Sequence, residues 1–140
     1  MTPAALLEAV GKRLLTDAEL PPVVWPNEHG DRPLPYLSVD YVPVSRRDET
    51  LRGEQTIARA FVMVTVMEAP GVFNTAANAT AARIMALFPK GLRLTVPGGV
   101  AVIYRPAEDM QGFPDRDGAA WRLPVRIHLE AAATMDGATP

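Results

Sequence analysis

Thr56-Ile57-Ala58-Arg59-Ala60-Phe61-Val62-Met63-Val64-Thr65-Val66-Met67 carries the clearest structural signal in the chain. Side chains alternate across a strand, so Ala58, Ala60, Val62, Val64 and Val66 share one face and Ile57, Phe61, Met63 and Met67 the other. Both sets are apolar, which predicts cover on both faces. The stretch is also longer than an ordinary strand. Upstream, Tyr36 to Val44 alternates as well, with Leu37, Val39 and Tyr41 opposite Ser38 and Asp40. Between the two strands, Ser45 to Gln55 reads as a charged loop holding Arg46, Arg47, Asp48, Glu49, Arg52 and Glu54. Together they predict a long hairpin whose charged tip protrudes from the body.

Two helices flank this unit. Thr2 to Ala18 places Leu7, Val10 and Leu14 at helical spacing, with Leu6 and Leu15 widening the stripe, Thr2 as cap and Pro3 in the first turn. Gly11 lies beside that stripe, where a partner backbone can approach. Pro21 and Pro22 stop the helix, and Val23 to Trp25 reads as a short strand. Phe73 to Phe88 predicts a second helix with a core stripe of Phe73, Ala77, Ala81, Ile84 and Phe88. Its back carries Thr75, Ala79, Ala82 and Ala86, and Arg83 is its one charge. So uncharged a back suits either core packing or a neighbouring subunit.

Phe88-Pro89-Lys90-Gly91 ends this helix, since proline blocks continuation and glycine is free to turn. Leu92 to Val96 and Val100 to Arg105 flank Pro97-Gly98-Gly99 as a second hairpin. Pro106 to Ala120 reads as a long loop with Met110 and Phe113 among charges, either folded back or serving as a docking knob. In Trp121 to Glu130, the residues Trp121, Leu123, Val125, Ile127 and Leu129 face inward, and Arg122, Arg126 and His128 face outward. Pro124 cannot donate to a ladder, which predicts an edge strand or a bulge there. The fold class expected is α+β: two main helices on a mostly antiparallel sheet of about four to six strands. Residues 1–132 form a single α/β domain in this reading, and 133–140 a flexible C-terminal tail.

Composition removes several functions. The 140 residues suit one domain. With no cysteine there is neither a disulfide framework nor a thiolate metal site. Fourteen basic against sixteen acidic residues give a net charge of −2, which does not favour specific binding to a phosphate backbone. No apolar run is long enough to cross a bilayer, and the N-terminus lacks a signal-peptide pattern. His29 and His128 are the only histidines, too few for a zinc cluster, and both read as surface residues. There is no Gly-x-Ser-x-Gly elbow and no phosphate or dinucleotide loop. Asp115-Arg116-Asp117-Gly118 lacks the later carboxylate of a calcium loop. Asp48, Glu49 and Glu54 are interleaved with arginines, so nothing raises their pKa values toward acid–base work. The expectation is a protein without catalytic, metal or cofactor sites.

Four strings, in this order, resemble phage tail-terminator proteins: Leu20-Pro21-Pro22-Val23-Val24-Trp25-Pro26-Asn27, Pro35-Tyr36-Leu37-Ser38-Val39, Ala82 to Gly91, and Trp121-Arg122-Leu123-Pro124-Val125-Arg126-Ile127. The likeness covers residues 3–132. It implies helices on a mostly antiparallel sheet and a homohexameric ring at the head-proximal end of the tail tube. The ring ends tube polymerisation and presents a joining surface to head-completion or connector proteins. DNA passes the lumen without specific binding, and the location implied is the head–tail junction of the virion. No catalytic residue carries over.

A closed ring needs head-to-tail contacts between two different patches. The candidates for the subunit interface are Ala79, Ala82 and Ala86 on the helix back, and Arg122, Arg126 and His128 on the last strand. Candidates for tube or neck contact are Arg46, Arg47, Asp48, Glu49, Arg52, Glu54, Met110 and Phe113. Two alternatives stand beside this reading. One is another connector or minor tail subunit of related fold. The other is a small enzyme or ligand-binding domain, which requires a pocket with converging polar groups.

Overall fold

A computed structural model describes residues 3–25, 33–48, 55–70, 75–97, 99–115 and 118–134, with backbone alone at 3, 45–48, 55–58 and 132–134. The elements along the chain are α1 (Pro3–Leu14), β1 (Val23–Val24), β2 (Tyr36–Asp48), β3 (Gln55–Glu68), α2 (Thr75–Leu87), β4 (Arg93–Val96), β5 (Gly99–Ile103), β6 (Glu108–Asp109), β7 (Phe113–Pro114) and β8 (Trp121–Thr134). They form one sheet in the order β1-β2-β3-β8-β5-β4, with β6 and β7 also paired to β8. Among the described residues only β1 and β2 pair in parallel; the other pairings are antiparallel. The class is α+β.

Register explains one of the two apolar alternations of β3, and the expected cover on both faces is only partial, since Phe61 and Met63 on the other face are half-buried. Val62, Val64 and Val66 pair with Tyr41, Val39 and Leu37 on one side and with Ile127, Val125 and Leu123 on the other. All of these share the face on which the helices lie. There α1 buries Leu6, Val10 and Leu14, and α2 buries Ala77, Ala81 and Ile84, with Phe88 just beyond it. The expected α2 stripe therefore forms, apart from Phe73, which lies outside the described residues, as does the cap residue Thr2. After α2, Gly91 adopts φ +91° and donates its N–H to the Ile103 carbonyl at 2.7 Å. That left-handed turn brings the chain back into the sheet at β4.

Several expectations change. Among the described residues the sheet has eight strands, not four to six. The extra ones include β6 and β7, two residues each, inside a stretch with no period to read. The expected loop from Ser45 is partly strand: beyond a register shift between Pro43 and Ser45, the pairs Ser45↔Arg59, Arg46↔Ala58, Arg47↔Ile57 and Asp48↔Thr56 continue the ladder. Arg46, Arg47 and Asp48 therefore belong to β2. Glu49, Arg52, Glu54 and the hairpin tip lie outside the described residues, as do 135–140. At the C-terminus β8 continues to Thr134, four residues past Glu130, where the sequence reading ended the strand.

The larger correction concerns β8. It is not an edge strand: β3 pairs along one side of it, and β5, β6 and β7 along the other. Pro124 is tolerated because of where its missing N–H would point. Its carbonyl accepts from the Met110 N–H at 2.9 Å, so its nitrogen faces the same side. That side is the gap between β6, ending at Asp109, and β7, starting at Phe113. The missing donor thus interrupts a short flanking pairing rather than the long β3 ladder.

Gly11 is close-packed, though against a ring rather than a partner backbone. A Cβ built there meets Trp25, with Cζ2 at 3.0 Å and Cη2 closer still. Gly11→Ala should therefore cost about 1–3 kcal/mol through overpacking, read as a lower urea midpoint; an unchanged midpoint would mean that Trp25 swings aside freely. Trp121 faces the core but is only half-buried, whereas Phe88 is fully buried. Phe88→Ala should thus cost the roughly 3–5 kcal/mol of a buried ring, and Trp121→Ala less. Equal losses in chemical denaturation would show that the two rings are equivalent.

Candidate functional site: a helix face and a sheet face

The outward face of α2 is shaped by one charge and its neutralisation. Ala79, Ala82 and Ala86 are exposed, while Ala77, Ala81 and Ile84 on the other side are buried. Arg83 does not stand free among the alanines. Its Nε and Nη2 donate to the two carboxylate oxygens of Asp17 at 3.0 and 2.9 Å, and Glu19 lies 3.1 Å from Nη2. The Arg83 hydrogen bond, helped by the Glu19 backbone N–H, holds the Asp17 carboxyl below the usual aspartate range. A second tie, from Arg13 Nε to the Leu87 carbonyl at 2.8 Å, fixes the end of α1 to the end of α2. The result is an exposed alanine face whose one basic residue is already paired.

The opposite face of the sheet carries the polar side chains of β3, β5 and β8. Arg59 donates to Glu130 at 2.8 Å and lies 4.7 Å from the Tyr104 ring centroid. Arg126 lies 4.9 Å from the Phe61 centroid, and Arg122 5.9 Å from that of Phe113. Each such contact is worth about 0.5–1 kcal/mol at partly exposed sites. Arg122 also donates to Asp115 at 3.1 Å. The Nε atoms of Arg122 and Arg126 are buried without a hydrogen-bond partner among the described residues. Beside these arginines, Arg93, Val100, Val102, Tyr104 and Glu130 line an open groove of about 350 Å³.

His128 is not a surface histidine. Only 5% of it is exposed, between the rings of Phe61 and Tyr104 at 5.9 and 6.1 Å. Its Nε2 sits 3.0 Å from Glu108 Oε1, in the geometry of an N–H donor to a carboxylate. That bond is the main reason the Glu108 carboxyl is held below the usual glutamate range; Arg105 at 3.8 Å and Arg126 add to it. This pair fastens β6 over β8.

The residues proposed from sequence thus fall in three places. Ala79, Ala82 and Ala86 share the outward face of α2. Arg122 and Arg126 are half-buried on the sheet face, and His128 is buried between Phe61 and Tyr104. Met110 and Phe113 remain 38% and 46% exposed, although the loop that carries them pairs its backbone with β8. Sequence reading missed Arg59, Phe61, Tyr104, Glu108 and Asp17. Their roles are cross-strand or between helices, and only the register reveals them. Among the described residues no cluster of His, Asp or Glu could hold a metal, and no helix is long and apolar enough to cross a membrane.

One solved protein structure, 23% identical over 91% of each chain, shares this fold with a TM-score of 0.68. No curated relative matches the chain. The family model described as phage tail terminator protein matches residues 5–129, and the chain belongs to that family. It is a structural component of the phage tail and so of the virion.

Because Glu108 is more acidic than an unpaired glutamate, its charge adds stability that is complete above the usual glutamate pKa, about 4.3, and is lost as pH falls below it. Glu108→Gln should lower the melting temperature at pH 7, and the gap to wild type should close in acid. A gap that stays constant down to pH 3 would rule out the His128–Glu108 bond as its source.

Proposed function

We propose that this protein caps the head-proximal end of the tail tube as a closed homohexameric ring, ends tube polymerisation and forms the surface that the head joins. The family match over residues 5–129 carries this reading. The arrangement of side chains supports it. A ring subunit must bury two unlike patches, and the alanine-rich outer face of α2, its one cation already paired, fits one of them. Ala79, Ala82 and Ala86 let a neighbouring backbone approach closely, and the Asp17–Arg83 pair keeps an unpaired cation from being buried in the contact. The exposed Met110 and Phe113 supply an apolar contact for the tube or the neck. The charged segment through Arg46, Arg47 and Asp48, with Glu49, Arg52 and Glu54 beyond it, supplies a polar one. On this reading DNA crosses a lumen that does not grip it, in keeping with the net charge of −2.

The direct test is the mass of the purified chain, alone and after addition of tail tubes, with electron microscopy of the tube ends. Rings on one end of each tube are expected. A chain that stays monomeric at all concentrations and adds nothing to the tubes would contradict the reading. A chain seated elsewhere in the particle would make it another connector or minor tail subunit.

Ala82→Glu should leave the monomer within about 0.5 kcal/mol of wild-type stability, as for an ordinary surface change, and sharply reduce ring formation on tubes. Normal assembly by this variant would remove α2 from the subunit contact.

A further inference from the structure

The sheet ends in two edges that no described strand covers. On one side β1 pairs only with Leu37 and Ser38, leaving the rest of β2 open. On the other side β4 pairs with β5 alone. Which backbone groups point outward follows from the hydrogen bonds. Leu37 donates to Pro22, so Leu37, Val39, Tyr41 and Pro43 face away from β3. Leu92 accepts from Ile103, so Leu92 and Leu94 face β5, and Arg93 and Thr95 face out. Exposed strand edges of this kind are templates for pairing with another chain.

The two edges also carry opposite charges on the same face. Asp40 pairs with Met63, and Arg93 with Val102, which puts both on the sheet face away from the helices. Both are exposed, and neither has an ion-pair partner among the described residues.

We propose that β4 of one subunit adds to the open edge of β2 in the next, parallel to it, with Arg93 beside Asp40. The proposal rests on the ring reading and assigns its backbone contact. In this register the Arg93 N–H reaches the Val39 carbonyl. The Tyr41 N–H reaches the Arg93 carbonyl, and the Thr95 N–H the Tyr41 carbonyl. Leu94 falls beside Tyr41 on the helix side, and Thr95 beside Val42 on the other, so no side chain changes face. Pro43 then ends the pairing, since it has no N–H to offer. The two edges are at opposite ends of one sheet, so the contact is head-to-tail and can close a ring. It joins the α2 contact rather than replacing it.

The chain has no cysteine, so introduced thiols report on this contact alone. Asp40→Cys/Arg93→Cys chains, assembled on purified tail tubes and oxidised, should give a ladder of covalent multimers ending in a closed ring. Each single variant should stay uncrosslinked. Asp40→Arg and Arg93→Asp should each weaken assembly by about fivefold per contact, the upper range for an exposed ion pair, and the combined exchange should restore it. Wild-type rings with neither cross-links nor a charge effect would overturn the edge pairing and leave the ring standing. Wild-type chains that form no ring would overturn both.

Discussion

The β3–β8 ladder fixes the rest of the molecule. It runs without a break from Gln55↔Thr134 to Glu68↔Trp121, and every other layer takes its position from it. Strand side chains alternate, so a slip of one residue would exchange the faces. If β8 slipped, Arg122, Arg126 and Glu130 would turn toward the helices, where unpaired charge is costly. The aliphatic residues of β8 would face the other way, away from the valines of β3. The hydrophobic pattern of two strands far apart in sequence therefore selects one register, and α1 and α2 pack on the surface it creates.

The two faces that result have different physical characters. On the helix side α1 and α2 cover the valine face of the sheet, and outside it lies the alanine face of α2, its one charge tied to Asp17. On the sheet side, guanidinium groups lie over Tyr104, Phe61 and Phe113, with acids at their edges. The His128–Glu108 bond and the Arg122–Asp115 pair hold the segment from β6 to β7 against β8. That leaves Met110 and Phe113 on a backbone fastened at both ends, so an exposed apolar pair is presented in a defined place. Surfaces held in this way suit a structural protein of the phage tail.

Much of the fold was legible because the strong signals are periodic. The alternation of Val62, Val64 and Val66, the Ala77–Ala81–Ile84–Phe88 stripe and the Gly91 turn all carry local physics that tertiary structure preserved. The edge assignment of β8 failed because proline reports only that a donor is absent. It does not say which neighbour lies on that side, and here the neighbours are the short β6 and β7. The proline that does mark an open edge is Pro43, whose signal in the sequence is no stronger. His128 was misplaced for a related reason: alternation placed it on the face away from the helices, but not beneath Phe61, Tyr104 and Glu108. The surface contacts were least legible, since Arg126 over Phe61 and Arg83 on Asp17 join residues far apart in the chain.

A phage lacking this gene gives the most direct measurement. Tails assembled without the protein, and again with it restored, can be measured for length and head attachment by electron microscopy. A ring that ends tube growth predicts overlong or unjoined tubes in its absence, and tubes of one length bearing heads on its return. Tubes of normal length, joined to heads without the protein, would contradict the role assigned to it.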